Sequence, residues 1–207
     1  MITHERFKVL EAAVREAGFG ETIDWTENII EPQNAEAFAS ETIYVICNSG
    51  MKNSVALLIF DRCMKALSKG RSVRKVFGHP GKAVAIDQIW TERTEFYARY
   101  LAVTDKLEYC ETLPWIGPVT KFHLAKNFGL DAAKPDVHLE RLAQAEDISV
   151  EVLCERLANQ TGYRAATIDT ILWRACAEGI LNSRVYATTG WDKALNAPAN
   201  EPNAPEK

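Results

Sequence analysis

Two short segments carry residues whose types and spacing could do chemistry: LPWIGPVTK, residues 113–121, and PDVHLER, residues 135–141. In the first, Leu113 and Ile116 can anchor a turn, Pro114 and Pro118 restrict its backbone, and Gly117 permits a positive φ. A turn of this kind that opens onto a helix at Val119 points free N–H groups outward. With the helix dipole, these form an anion site to which Lys121 and Lys126 could add charge. An ordinary helix–helix connection would look the same. In the second segment, Asp136 follows a proline and precedes an apolar-periodic helix. It is a favoured N-cap, and an N-cap carboxylate stays ionised because N–H donors and the dipole favour its charge. An ionised carboxylate is also what stabilises a developing cation. Structural and catalytic demands coincide at this residue.

The surrounding chain reads as helical almost throughout. Phe7, Leu10, Val14 and Ala17 recur at helical spacing behind a Thr3 cap, with Gly18 as a stop. Further helices are expected over AEAFASETIYVICNS, over NSVALLIFDRCMKALSKG to Gly70, and over KAVAIDQIWTERTEFYARYLAV as one piece. Thr104 would cap a short helix through Cys110, and VTKFHLAKNFG would close at Gly129. Asp136, Ser149 and the segment before Gly179 mark three more, about nine helices in all, with little or no sheet. IYVICNSG could be a buried strand, but its helical flanks and the lack of a partner strand favour helix. The Pro- and Asn-rich stretch 196–207 reads as a disordered tail.

The chain has 207 residues, of which 47% are hydrophobic and 25% charged, enough to bury a core in one large domain or two smaller lobes. No apolar run reaches the length of a membrane span, and MITHERFKVL lacks a signal-peptide pattern, so a cytoplasmic chain without a membrane partner is expected. The five cysteines (Cys47, Cys63, Cys110, Cys154, Cys176) form no CxxC pair, which points to reduced thiols and no metal site. A net charge of −4 argues against a generally basic nucleic-acid binder. Yet Arg62, Lys65, Lys69, Arg71, Arg74, Lys75 and Lys82 follow one another with no acid among them. Such a run is either a solvated face or a local patch able to neutralise phosphates.

Taken together, LPWIGPVT and PDVHLERL resemble the two signature segments of the helix-hairpin-helix DNA glycosylases, the superfamily of endonuclease III and of the adenine and alkylpurine glycosylases. That family carries LPGhGxxTA (h apolar) and VDTHVxRL, and Asp136, His138, Arg141 and Leu142 fall on matching positions of the second. Upstream, IYVICNSGMKNSVA resembles the family's ILSQQT-type helix end and loop.

The resemblance implies an all-α fold of two helical lobes with a DNA-binding cleft between them. Residues 35–130 would form the hairpin-bearing lobe, and 1–34 plus 131–195 the other. Trp115, Ile116, Gly117, Val119, Thr120 and Lys121 would grip the backbone of double-stranded DNA. Asn48, Ser49, Gly50 and Met51 would fill the gap left by a flipped nucleotide, with Met51 as the wedge, unless they form only a helix-terminating turn. Asp136 would be the catalytic carboxylate, with His138 and Arg141 in support. The resemblance also allows a monovalent cation at the hairpin. The expected activity is monofunctional hydrolysis of the N-glycosidic bond of a damaged or modified base, by a monomer near the nucleoid. The alternative is a catalytically silent helix-hairpin-helix module that binds DNA or a protein.

Three departures refine this expectation. Bifunctional members carry a lysine nucleophile where this chain has Val119, which cannot form an imine. Cys154 and Cys176 cannot reproduce the four-cysteine iron–sulfur ligand set, so no cluster and no other cofactor is expected. Trp115 stands where the family has the first hairpin glycine. Trp25, Tyr44, Trp90, Trp173 and Trp191 could sandwich a base but read as core packing, and His79 and Lys82 in GHPGK read as a backbone contact or a surface turn.

Overall fold

The computed structural model describes residues 1–195, so the stretch read as a tail, 196–207, lies outside the described residues. Its regular elements there are helical, apart from one isolated antiparallel bridge between Leu181 and Leu195. The described chain divides into two compact units, one built from Met1–Asn28 with 131–195, the other from Ile29–Leu130.

The continuous unit contains α3 (Ala35–Asn48), α4 (Asn53–Leu67), a 3₁₀ turn (Val73–Lys75), α5 (Pro80–Thr91), α6 (Arg93–Ala102), α7 (Lys106–Glu111) and α8 (Thr120–Asn127). Its core centres on α3, which is apolar on most sides: Phe38, Ile43, Val45, Ile46 and Cys47 are buried with Ile86, Ile89, Tyr100, Leu124 and Phe128. IYVICN is helix, and Asn34 caps it by accepting from Ala37 N–H at 2.8 Å. The segment expected as one helix from Lys82 to Val103 breaks at Glu92 (φ −97°, ψ 13°), a non-helical residue that closes α5 and opens α6. Asp105, rather than Thr104, caps α7, accepting from Glu108 N–H at 2.9 Å. The two ends of this unit meet. A Cβ on Gly129 would fall 2.9 Å from the Ile30 carbonyl carbon and 3.0 Å from the Ile29 oxygen, so only glycine fits there, at φ +75°.

The discontinuous unit contains α1 (His4–Val14), a π-helical turn (Arg15–Phe19), α2 (Gly20–Asn28), α9 (Val137–Gln144), α10 (Val150–Thr161), α11 (Ala165–Ala177), α12 (Ser183–Thr189) and α13 (Trp191–Ala194). The described residues thus hold thirteen α-helices, more than the nine or so expected. The excess comes from the break at Glu92 and from α2, α12 and α13, whose short or polar sequences carry little periodicity. Phe7, Leu10 and Val14 of α1 are buried with Leu139, Leu142, Leu153, Ile168, Ile171 and Leu172. Thr3 caps α1, and Ser149 caps α10. Chain-distant parts are tied by the almost fully buried Glu146 carboxylate. It accepts from Ile2 N–H (2.5 Å), Arg156 Nη2 (2.7 Å) and the Tyr186 hydroxyl (2.7 Å).

Candidate functional site

In the continuous unit, α7 and α8 are joined by a turn that Leu113 and Ile116, both buried, pin to the core. Ile116 N–H donates to Leu113 O at 3.0 Å, and Lys121 N–H to Gly117 O at 2.9 Å. Gly117 is not in the left-handed region; the residue there is Trp115, at φ +67°. This corrects the expectation for Gly117: the unusual backbone angle belongs to the position where the resembled motif has its first glycine. Tryptophan adopts it at a steric cost and settles its ring over the start of α5. The indole lies 5.1 Å from the His79 ring in an edge-on arrangement. A Cβ on Gly81 would come within 2.6 Å of it, so this glycine leaves the space that the ring fills.

The Gly117 N–H is taken by Thr120 Oγ1 at 2.8 Å. The N–H groups of Trp115, Val119 and Thr120 meet no acceptor among the described residues. Val119 is well exposed. Lys121 is not the free cation that the sequence offers: its ammonium binds Glu108 at 2.5 Å and Glu111 at 2.7 Å. The hydrogen bonds to Glu108 and Glu111 raise its pKa, and their two negative charges outweigh its one. As a side chain it adds no positive charge to the turn.

The Asn48–Met51 segment terminates α3. Gly50 has φ +69°, Ser49 Oγ donates to Ile46 O at 3.1 Å, and Met51 is half-buried against the core of its unit. Asn48 Nδ2 reaches the Tyr44 hydroxyl at 3.4 Å. Lys82 turns out to be buried rather than displayed on a surface turn. Its Nζ donates to the Ser49 carbonyl at 2.5 Å, and burial lowers its pKa. The same residue's N–H donates to His79 Nδ1 at 3.3 Å, capping α5. Within this unit, therefore, the α3–α4 loop, the start of α5 and the Trp115 turn are connected through Lys82, His79 and Gly81. Nothing in the spacing of GHPGK revealed that connection.

In the discontinuous unit, Asp136 caps α9. Its Oδ1 accepts from His138 N–H and Leu139 N–H, both at 2.9 Å, and its other oxygen has no hydrogen-bond partner among the described residues. The side chain is half-buried. His138 Nδ1 lies 3.0 Å from the hydroxyl of buried Ser183, which braces α9 against α12. Arg141 is half-exposed and makes no ion pair among the described residues. Both Asp136 and Arg141 act on the buried Cys176 thiol. Burial first and the Asp136 charge second push its pKa up to about 12, while Arg141 opposes them.

The aromatic residues do not all pack inside as expected. Trp25 is 48% exposed and Trp173 37% exposed, the latter beneath the Arg174 guanidinium at 4.8 Å. Helical spacing with Ile168, Ile171 and Leu172 suggested burial, but Trp173 falls at the edge of the buried arc of α11. Among the described residues, no three His, Cys, Asp or Glu side chains stand together as metal ligands, and no helix is long and apolar enough to cross a membrane. All five cysteines are buried, and none forms a disulfide among the described residues. Compared with protein-family models, with curated proteins and with solved structures, the chain finds no match.

Proposed function

We propose that this protein is a monofunctional DNA glycosylase, acting as a monomer on double-stranded DNA. The observation that carries this reading is the state of Asp136 within a segment that matches the family's second signature. One carboxylate oxygen holds the helix and the other has no partner among the described residues. A carboxylate oxygen left over from the cap is suited to stabilise a developing positive charge. The turn at 113–120, with unsatisfied amides at Val119 and Thr120, is suited to a backbone phosphate. With the target nucleotide turned out of the stack, the bond between C1′ and the base nitrogen breaks, and the base leaves with the electron pair. Asp136 stabilises the resulting oxocarbenium-like sugar and orients a water molecule. The water oxygen bonds to C1′, one of its protons passes to solvent, and the base takes up a proton, leaving an abasic site. Val119 offers no amine, so the strand stays intact.

The test is release of free bases, read by mass spectrometry, from DNA carrying many kinds of damage and modification. Asp136→Asn, which retains a good N-cap, should fold and bind DNA but release nothing that the wild type releases. Equal release by the variant would remove Asp136 from the mechanism, and immediate strand nicking by the wild type would overturn the monofunctional assignment. The alternative is a catalytically silent module that binds DNA. Duplex binding without release of any base would establish it.

A further inference from the structure

Fourteen residues of the continuous unit, 62–75, contain six cations and no acid, and all six are exposed: Arg62, Lys65, Lys69, Arg71, Arg74 and Lys75. They sit on a built scaffold. Arg62, Lys65 and Lys69 are three and four residues apart along α4 and its final turn, so they share a face, while Cys63, Ala66 and Leu67 on the other side enter the core. Gly70, at φ +65°, then reverses the chain: its N–H donates to Leu67 O at 2.9 Å and the Arg71 N–H to Ala66 O at 3.0 Å. Asp87 secures the next turn by accepting from Ser72 Oγ at 2.5 Å and Val73 N–H at 2.9 Å. Val73 and Phe77 are buried beneath it.

Several cations elsewhere in the chain are paired with acids, although Arg141 is not. Arg15, Arg99, Lys106, Lys121, Arg156 and Arg174 each contact a carboxylate. Of the six in the basic turn, only Arg74 has an ion pair among the described residues, with Asp87 at 3.9 Å. Like charges three and four apart repel, while Lys65 in the last turn of α4 also complements the helix dipole. The turn also adjoins the Trp115 surface. Phe77 N–H donates to Val73 O at 2.9 Å, the Phe77 ring lies 6.3 Å from His79, and His79 lies 5.1 Å from Trp115.

We infer that the basic turn at 62–75 is a second, sequence-independent contact for the phosphate backbone of duplex DNA, continuous with the 113–120 turn. This rests on the reading that the partner is duplex DNA. The experiment is fluorescence-anisotropy titration, over a range of salt, of a short duplex carrying one tetrahydrofuran abasic-site analogue. Each cation–phosphate contact steepens the fall of log K with log[salt] by about 0.9. Lys65→Gln/Lys69→Gln/Arg71→Gln should therefore flatten the slope by roughly 2 to 3. Lys65→Gln alone, on the exposed face of α4, should flatten it by about 0.9 and guards against a folding defect in the triple variant. Lys8→Gln/Lys193→Gln, exposed in the other unit, should leave it unchanged. A wild-type slope in both Lys65-containing variants overturns the inference, as does a wild type that binds no duplex. Steep, variant-sensitive binding without base release would uphold the contact while the glycosylase reading falls.

Discussion

Substituting Gly81 by alanine should have opposite effects depending on what stands at position 115. Gly81 lies in the first turn of α5, where its backbone is helical and alanine would ordinarily stabilise by up to about 1 kcal/mol. Here the added Cβ would sit 2.6 Å from Trp115 Cζ3, and the ring must move. Trp115 is 45% exposed, so somewhat more than half of it is covered. With about 200 Å² for a tryptophan side chain, that is on the order of 110 Å² and about 3 kcal/mol of burial. Losing about half of this outweighs the gain in helix propensity, so Gly81→Ala should destabilise the wild type by roughly 0.5–1 kcal/mol. In a Trp115→Gly background the obstacle is gone, and Gly81→Ala should stabilise by roughly 0.5–1 kcal/mol. Urea unfolding of the four proteins measures the coupling, expected at about 1–2 kcal/mol with a change of sign. The backbone adds a second check. At φ +67° glycine is relieved of the left-handed cost, so Trp115→Gly should be more stable than Trp115→Ala by about 0.5–1 kcal/mol. Additive effects of Gly81→Ala, or alanine more stable than glycine at 115, would refute the seating of the ring and the angle beneath it.

Other consequences are open to measurement. The Tyr100 hydroxyl is buried without a hydrogen-bond partner among the described residues. Tyr100→Phe, which keeps the ring under the Lys106 ammonium, should raise stability by about 1 kcal/mol in urea unfolding; a comparable loss would mean that the hydroxyl is satisfied. Burial holds the Lys82 ammonium below the ordinary lysine value of 10.5. Between the two values the unfolded chain binds a proton that the folded chain has released, so this residue's contribution to stability rises with pH. The stability of wild type minus that of Lys82→Met should climb through alkaline pH and level off once both states are neutral; a flat or falling difference would refute the burial argument.

Local chemistry was legible in the sequence wherever one side chain settles one backbone group. Thr3, Asp136 and Ser149 act as the caps their types suggest, and Gly70, Gly129 and Gly179 take the positive φ that ends a helix. What depends on distant residues was not legible. Lys121 looks like a free cation until α7 brings Glu108 and Glu111 to it. Lys82 looks like a surface residue until α3 presents the Ser49 carbonyl. The helix break at Glu92 leaves no glycine or proline as a sign, and α2 and α12 have too few apolar residues to show a period. Of the candidate site, the carboxylate and its helix could be read directly. The tryptophan's backbone angle could not, because a bulky residue is unexpected at positive φ.

The meeting of Ile29–Glu31 with Gly129 makes the continuous unit an insertion whose entrance and exit coincide. During synthesis, every residue of that unit has been made by the time position 130 is reached, and its closing contact needs nothing further downstream. The first helix is made earlier but cannot complete its packing. Phe7, Leu10 and Val14 find their apolar neighbours among residues from Leu139 onward, and the Ile2 N–H finds its acceptor at Glu146. The order in which the two cores can close is therefore the reverse of the order in which the chain first enters them: the unit begun second is complete first, while α1 waits for α9, α10 and α11.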